Sequence, residues 1–244
     1  MDVTVINLDR SADRLATFAR RNGHLRSVTR FAAVDGRGLD AQRLIADGVI
    51  EPAVANSYTK GALGCALSHR ALWEAAISGQ RPITICEDDA IFNRRFEDTA
   101  ATLIERALPP DWDIVLWGYN FDEYVQIDLL PGVSRALMQF DQEAMRKGVA
   151  LFQDSVVAPL LLRLHRALGC MCYSISPKGA GLLRGHCFPL RDMMLTLPGR
   201  RVVQARGIDI PMNEAYPGLK AFACMPPLAI TENDHGISTT QRPD

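Results

Sequence analysis

Pro82-Ile-Thr-Ile-Cys-Glu-Asp-Asp-Ala-Ile-Phe92 decides the fold. Ile83 to Cys86 reads as a buried strand, and it ends in three consecutive acids, Glu87, Asp88 and Asp89. The apolar pair Ala90-Ile91 follows at once, so the acids sit where a strand leaves its sheet. Three adjacent carboxylates repel one another and raise one another's pKa. A divalent cation removes that penalty, because oxygen-rich sites suit Mg²⁺ or Mn²⁺. The plain alternative is a solvated turn.

Working outward, the same alternation of short apolar runs and helical stretches recurs. Val3 to Leu8 is a strand, and Asp9 to Asn22 is a polar helix that Ser11 or Asp9 would cap. Phe31 to Val34 is a second strand, broken by Asp35-Gly36, and Leu39 to Ala46 is a short helix. Gly61 to Ser78 carries the strongest helical stripe, through Leu63, Leu67, Ala71 and Trp73 to Ile77. Phe96 to Ala107 is a helix, and Asp113 to Gly118 and Met171 to Ile175 are strands. Lys178 to Arg184 is a helix opened by Ser176-Pro177. This order predicts an α/β sandwich with a mostly parallel central sheet. Ligands of such sheets bind outside the carboxyl ends of the strands, where Asp9, Asp35 and the three acids all fall.

The 244 residues fit a single domain. The pattern blurs over residues 119–168, which reads as a lid or acceptor-binding region. Residues 232–244 form a polar tail. With 27 basic and 28 acidic residues there is no global electrostatic case for nucleic acid. No stretch reaches the roughly 20 apolar residues of a membrane helix, and the N-terminus does not read as a signal peptide. The six cysteines lack C-x-x-C spacing and read as reduced core residues of a cytoplasmic protein. Cys170 and Cys172 are expected to share one face of a strand. No G-x-x-x-x-G-K-[ST] or G-x-G-x-x-G loop is present.

A carboxylate–metal site suits a diphosphate leaving group, as in glycosyl transfer from a nucleotide sugar, and in principle phosphoryl transfer. A phosphate-accepting receiver domain also clusters acids at strand ends. It needs only about half this length and an acid pair directly after the first strand.

Several stretches together resemble glycosyltransferase family 25, the lipopolysaccharide, lipooligosaccharide and collagen galactosyltransferases. They are VINLDRSADRL (Val5 to Leu15), FAAVDG (Phe31 to Gly36), GALGCALSHRALWEAAI (Gly61 to Ile77) and ITICEDDAIF (Ile83 to Phe92). WDIVLWG (Trp112 to Gly118), CYSISPKGAGLL (Cys172 to Leu183) and the aspartate of GIDIP (Asp209) complete the series. The resemblance implies a GT-A, Rossmann-type α/β/α fold, a UDP-sugar donor (UDP-galactose most often) and Mn²⁺ or Mg²⁺. It further implies inverting transfer to a glycan or glycolipid acceptor, such as a lipopolysaccharide oligosaccharide. That activity implies a cytoplasmic location, with room for peripheral contact at the inner face of the membrane.

By the same resemblance Glu87 and Asp89 hold the metal, with Asp89 in direct contact and Asp88 between them. Asn7, Leu8 and Arg14 hold the nucleotide, while Val34, Asp35 and Gly36 close around uridine and ribose. Asp209 is the candidate base for the acceptor hydroxyl, with a helix cap or a second metal-side acid as its alternatives and Asp234-His235 as a second candidate pair. His235 would complete the metal shell. Arg14 has the alternative of a surface pair with Asp13 or Asp9. His69 has the reading of a hydrogen-bonded core histidine. Ala62 departs from the family, which usually carries Glu there, so a catalytically lapsed nucleotide-sugar-binding protein is the second reading. Trp117, Tyr119 and Tyr124 read as core aromatics, with an acceptor platform as the alternative.

Overall fold

The computed structural model describes residues 1–197 and 201–232. β1 (Val3–Asn7) leads through α1 (Ala12–Arg21) to β2 (Val28–Ala32), and α2 (Ala41–Ala46) and α3 (Val54–Ser57) precede the long α4 (Lys60–Gly79). β3 (Ile83–Glu87), β4 (Ile91–Phe92), α5 (Phe96–Ala107) and β5 (Ile114–Gly118) follow. Then come β6 (Tyr124–Leu130), β7 (Ser134–Gln139), α6 (Gln142–Lys147), α7 (Val149–Asp154) and β8 (Leu160–Ala167). β9 (Cys172–Ile175), α8 (Pro177–Cys187), β10 (Met194–Thr196), β11 (Val202–Gln204), α9 (Asp209–Ala215), β12 (Ala221–Met225) and β13 (Ala229–Ile230) complete the described chain.

Nine strands form one sheet in the order β2-β1-β3-β9-β5-β12-β8-β6-β7. Its strands alternate between two cores, which is what period-2 side-chain placement demands of a sheet covered on both faces. On β5, Ile114 and Leu116 join one core, and Val115 and Trp117 the other. On β9, Tyr173 and Ile175 face the first core and Cys172 the second. Helices α4, α8 and α9 cover the first face, and α1 and α5 the second. The α/β sandwich expected from the sequence is present.

The sheet is mixed. β1 pairs in parallel with β2 and β3, and β5 with β12, while β9 is antiparallel to both of its neighbours. β8 runs antiparallel to β12 and β6, and β6 to β7. Six strands (β1, β2, β3, β5, β12 and β6) therefore point one way, and β9, β8 and β7 point the other.

Residues 119–168 contribute three strands of the sheet and two short helices. The β6–β7 hairpin turns at Leu130-Pro131-Gly132-Val133, with Gly132 at φ 74°. Proline followed by a glycine of positive φ is the chemistry of a type II turn. Trp117, Tyr119 and Tyr124 are buried, in keeping with the core reading. Among the described residues no helix is long and apolar enough to cross a membrane.

Candidate active site: a cleft at the ends of β1 and β3

Thr59 caps α4 by accepting from the Ala62 amide, and this fixes the helix N-terminus beside the loop after β2. The two backbones touch through glycines. A Cβ on Gly36 would overlap the Lys60 carbonyl, and one on Gly64 would overlap the Val34 carbonyl. Ser68 locks the contact, accepting from the Val34 amide at 2.9 Å and donating to the Gly64 carbonyl at 2.8 Å. Between this loop, β1 and β3 opens a cleft of about 540 Å³, counting its open mouth. Asn7, Leu8, Arg14, Val34, Gly36, Glu87 and Asp88 all line it. These are seven of the residues named from the sequence, and they come from three separate stretches of chain. Arg10, Ser11, Cys65 and Ser68 also line it and had not been named as site residues.

Arg14 does not pair with Asp13 or Asp9. Its Nε donates to Asp88 at 2.8 Å, across 74 positions of sequence, and Asn7 donates to the other Asp88 oxygen at 2.7 Å. The parallel register of β1 and β3 sets this up, since Ile6 lies opposite Glu87. Arg30 fixes Asn7 in turn by donating to its side-chain oxygen at 3.1 Å. Asp9 pairs with Arg30 instead. Asp35 stands exposed at the rim, paired with Arg10 and capping the Gly36–Gly38 turn through the Arg37 amide. It is not among the residues that line the cleft.

The three acids have three different environments. Asp88 is matched by Arg14. Glu87 faces the first core, where its carboxylate accepts from Cys170 at 3.4 Å and lies 3.9 Å from His69 Nε2. Burial alone would raise its pKa, but His69, Cys170 and Arg14 outweigh that and hold it below its ordinary value. Asp89 lies beside the β4–β13 pair, where Ile230 faces Ile91 and brings the Thr231 hydroxyl to its carboxylate. Its Oδ1 is buried and finds no partner among the described residues. Burial first, then the charge of Glu87, push the Asp89 pKa up to about 7. Asn22 pins the following turn by donating to the Ala90 carbonyl and accepting from the Phe92 amide. An orphaned buried carboxylate oxygen among neighbouring acids is a place that a divalent cation fits.

His69 is fully buried on α4, as the core reading expected, and it is also tied to Glu87. Ala62 is 1 % exposed in the first core, so a glutamate there would have to be repacked. Asp209 begins α9 and accepts from the Gly169 amide at 3.1 Å. Burial and the charge of Glu87 raise its pKa. It does not line the cleft. His235 lies outside the described residues, as does most of the polar tail. Cys170 and Cys172 do not share a face. Cys170 precedes β9, after Gly169 at φ 80°, and joins the first core, while Cys172 joins the second.

The family model described as Glycosyltransferase family 25 (LPS biosynthesis protein) matches residues 1–190. The chain belongs to glycosyltransferase family 25. That span contains the whole cleft. The chain is 31 % identical over 145 residues to a rat protein named Probable inactive glycosyltransferase 25 family member 3, covering 54 % of this chain and 25 % of the relative. It is 32 % identical over 132 residues to zebrafish Procollagen galactosyltransferase 1, covering 48 % and 21 % respectively. Human Procollagen galactosyltransferase 2 matches at 28 % over 130 residues, covering 48 % and 20 %. The chain thus spans a quarter or less of the length of these family 25 relatives. A solved structure titled Crystal Structure of A197 from STIV overlaps 99 % of each chain at 10 % identity and a TM-score of 0.37, too loose a likeness to argue from.

Proposed function

We propose that the cleft binds a nucleoside-diphosphate sugar, with UDP-galactose the first candidate, and that the protein transfers the sugar to a glycan or glycolipid acceptor. The observation that carries this reading is the cleft itself, where Asn7, Leu8, Arg14, Val34, Gly36 and Asp88 converge; Asp89 follows Asp88 in the chain without lining the cleft, and one of its carboxylate oxygens has no partner among the described residues. The glycine contact between the Val34–Gly36 loop and α4 fixes one wall of the cleft, lined by Val34, Cys65 and Ser68. Asn7 and Arg14 hold Asp88 rigid. Asp89 would hold Mn²⁺ or Mg²⁺, with Glu87 adding charge beside it and His235 as a further ligand. Such a cation supplies neutralisation of a departing diphosphate. Asp209 is the candidate base, because its raised pKa is the direction that proton abstraction favours.

The test is calorimetry and thermal shift with UDP-galactose, UDP-glucose, UDP-N-acetyl sugars and GDP-mannose, each with and without Mn²⁺, followed by transfer assays on a panel of glycans. A ligand that binds only the folded state raises its stability. Mn²⁺-dependent binding of one donor, with transfer, supports the reading, and absence of binding by every donor overturns it.

A second reading is a nucleotide-sugar-binding protein that has lost transfer. Buried Ala62 favours it, as does the word inactive in the names of several relatives. Donor binding without hydrolysis or transfer would select it.

A further inference from the structure

At the wall of the cleft, which Cys65 and Glu87 line, four ligand-type side chains converge from three parts of the chain. Cys65 and His69 lie one turn apart on α4, Glu87 ends β3, and Cys170 precedes β9. Cys170 Sγ is 3.4 Å from His69 Nε2 and 3.4 Å from Glu87 Oε1, and His69 Nε2 is 3.9 Å from Glu87 Oε1. The ligand atoms of Cys65, His69 and Glu87 all lie within 4.8 Å of one another.

The separations among Cys170, His69 and Glu87 are close to the edges of a tetrahedron. Zinc bonds of about 2.3 Å to sulfur, and about 2.0–2.2 Å to nitrogen and oxygen, place neighbouring ligands about 3.4–3.8 Å apart. His69 also has the outer partner that metal-bound histidines need. Its Nδ1 is 2.8 Å from the Tyr173 hydroxyl, which accepts from Trp73 Nε1 at 2.8 Å. The tautomer that donates Nδ1–H to Tyr173 leaves the Nε2 lone pair facing the two thiols.

We infer that Cys65, Cys170, His69 and Glu87 form a closed, four-ligand zinc site. Two thiolates, one imidazole and one carboxylate are a soft donor set that selects Zn²⁺ over the oxygen-seeking Mn²⁺ and Mg²⁺. With no open position, the ion ties α4, β3 and the turn before β9 together at the cleft wall and leaves the reaction to other groups. Binding releases the two thiol protons to solvent. Hydrogen bonding from Cys170 already lowers the pKa of the Cys65 thiol despite burial. The site draws on Glu87, His69 and the two thiols and not on Asp89, so it stands whether or not the cleft binds a nucleotide sugar.

The experiment is Co²⁺ titration of the reduced, chelator-treated full chain, followed by absorption spectroscopy and competition with Zn²⁺. One equivalent of Co²⁺ is expected to give the thiolate-to-cobalt charge-transfer band and intense visible bands of a tetrahedral site, and Zn²⁺ should abolish both. Cys65→Ser with Cys170→Ser should lose the charge-transfer band while circular dichroism still shows the folded protein. Asp89→Asn should keep it. No band from the reduced wild-type chain, or a band that survives in the double serine variant, would overturn the site.

Discussion

Arg14 and Asp88, 74 positions apart, form an ion pair that walls one side of the cleft, with Arg14 Nε at 2.8 Å from Asp88 Oδ1. This pairing makes the three consecutive acids inequivalent. Asp88 is matched by a guanidinium and Glu87 by His69 and Cys170, while Asp89 retains an oxygen with no partner among the described residues. The repulsion that the sequence poses at Glu87 to Asp89 is thus relieved at two positions and concentrated at the third.

Arg14→Met leaves Asp88, whose side chain is 9 % exposed, without its cation. Removing one partner of a buried pair costs about 3–5 kcal/mol. Arg14 keeps 23 % exposure, so a loss of about 2–3 kcal/mol is expected from urea unfolding. Adding Asp88→Asn to Arg14→Met should restore part of that stability, because no buried charge is then unmatched. Equal losses in the single and double variants would show that the pair does not neutralise Asp88.

The raised pKa of Asp89 sets a pH dependence in cation-free protein. The unfolded carboxyl releases its proton near about pH 4, whereas the folded one holds it to about 7. Between those values the folded state binds more protons, so stability falls as pH rises through that window and levels off above it. Chemical unfolding across pH 4 to 8 should show this fall in wild type and a shallower one in Asp89→Asn. Saturating Mn²⁺ should flatten it as well. A wild-type profile matching that of Asp89→Asn would contradict the assignment.

Gly36→Ala drives a methyl into the Lys60 carbonyl, whereas Gly38→Ala meets nothing within 4 Å. The first should cost about 1–3 kcal/mol as an overpacked contact and weaken donor binding by displacing Val34. The second should change stability by no more than about 0.5 kcal/mol. Thermal melts and donor titrations of the two variants check the contrast.

Much of the first half of the fold was legible because its elements are local. Phe96–Ala107 runs over the residues that the helical stripe marks, and α4 extends the expected span by one residue at each end. The α4 cap at Thr59 and the Pro177 start of α8 follow from residue chemistry. β6, β7 and β8 escaped because β7 is a half-exposed edge strand with little apolar alternation. The Pro131-Gly132 turn was the available signal. In the site, Asn7, Arg14 and Asp88 were named, but Arg14's partner was not, since an i,i+4-scale reading cannot see a contact made by strand register. Cys170 was misplaced because strand alternation was carried back two residues ahead of β9, to the residue directly after the irregular backbone at Gly169.

The most direct test of the central claim is calorimetric titration of UDP-galactose into wild type and Asp89→Asn, each with and without Mn²⁺. The account predicts Mn²⁺-dependent binding in wild type that Asp89→Asn abolishes while it keeps the wild-type circular dichroism spectrum. Equal binding to both proteins, independent of Mn²⁺, would contradict the role given to Asp89.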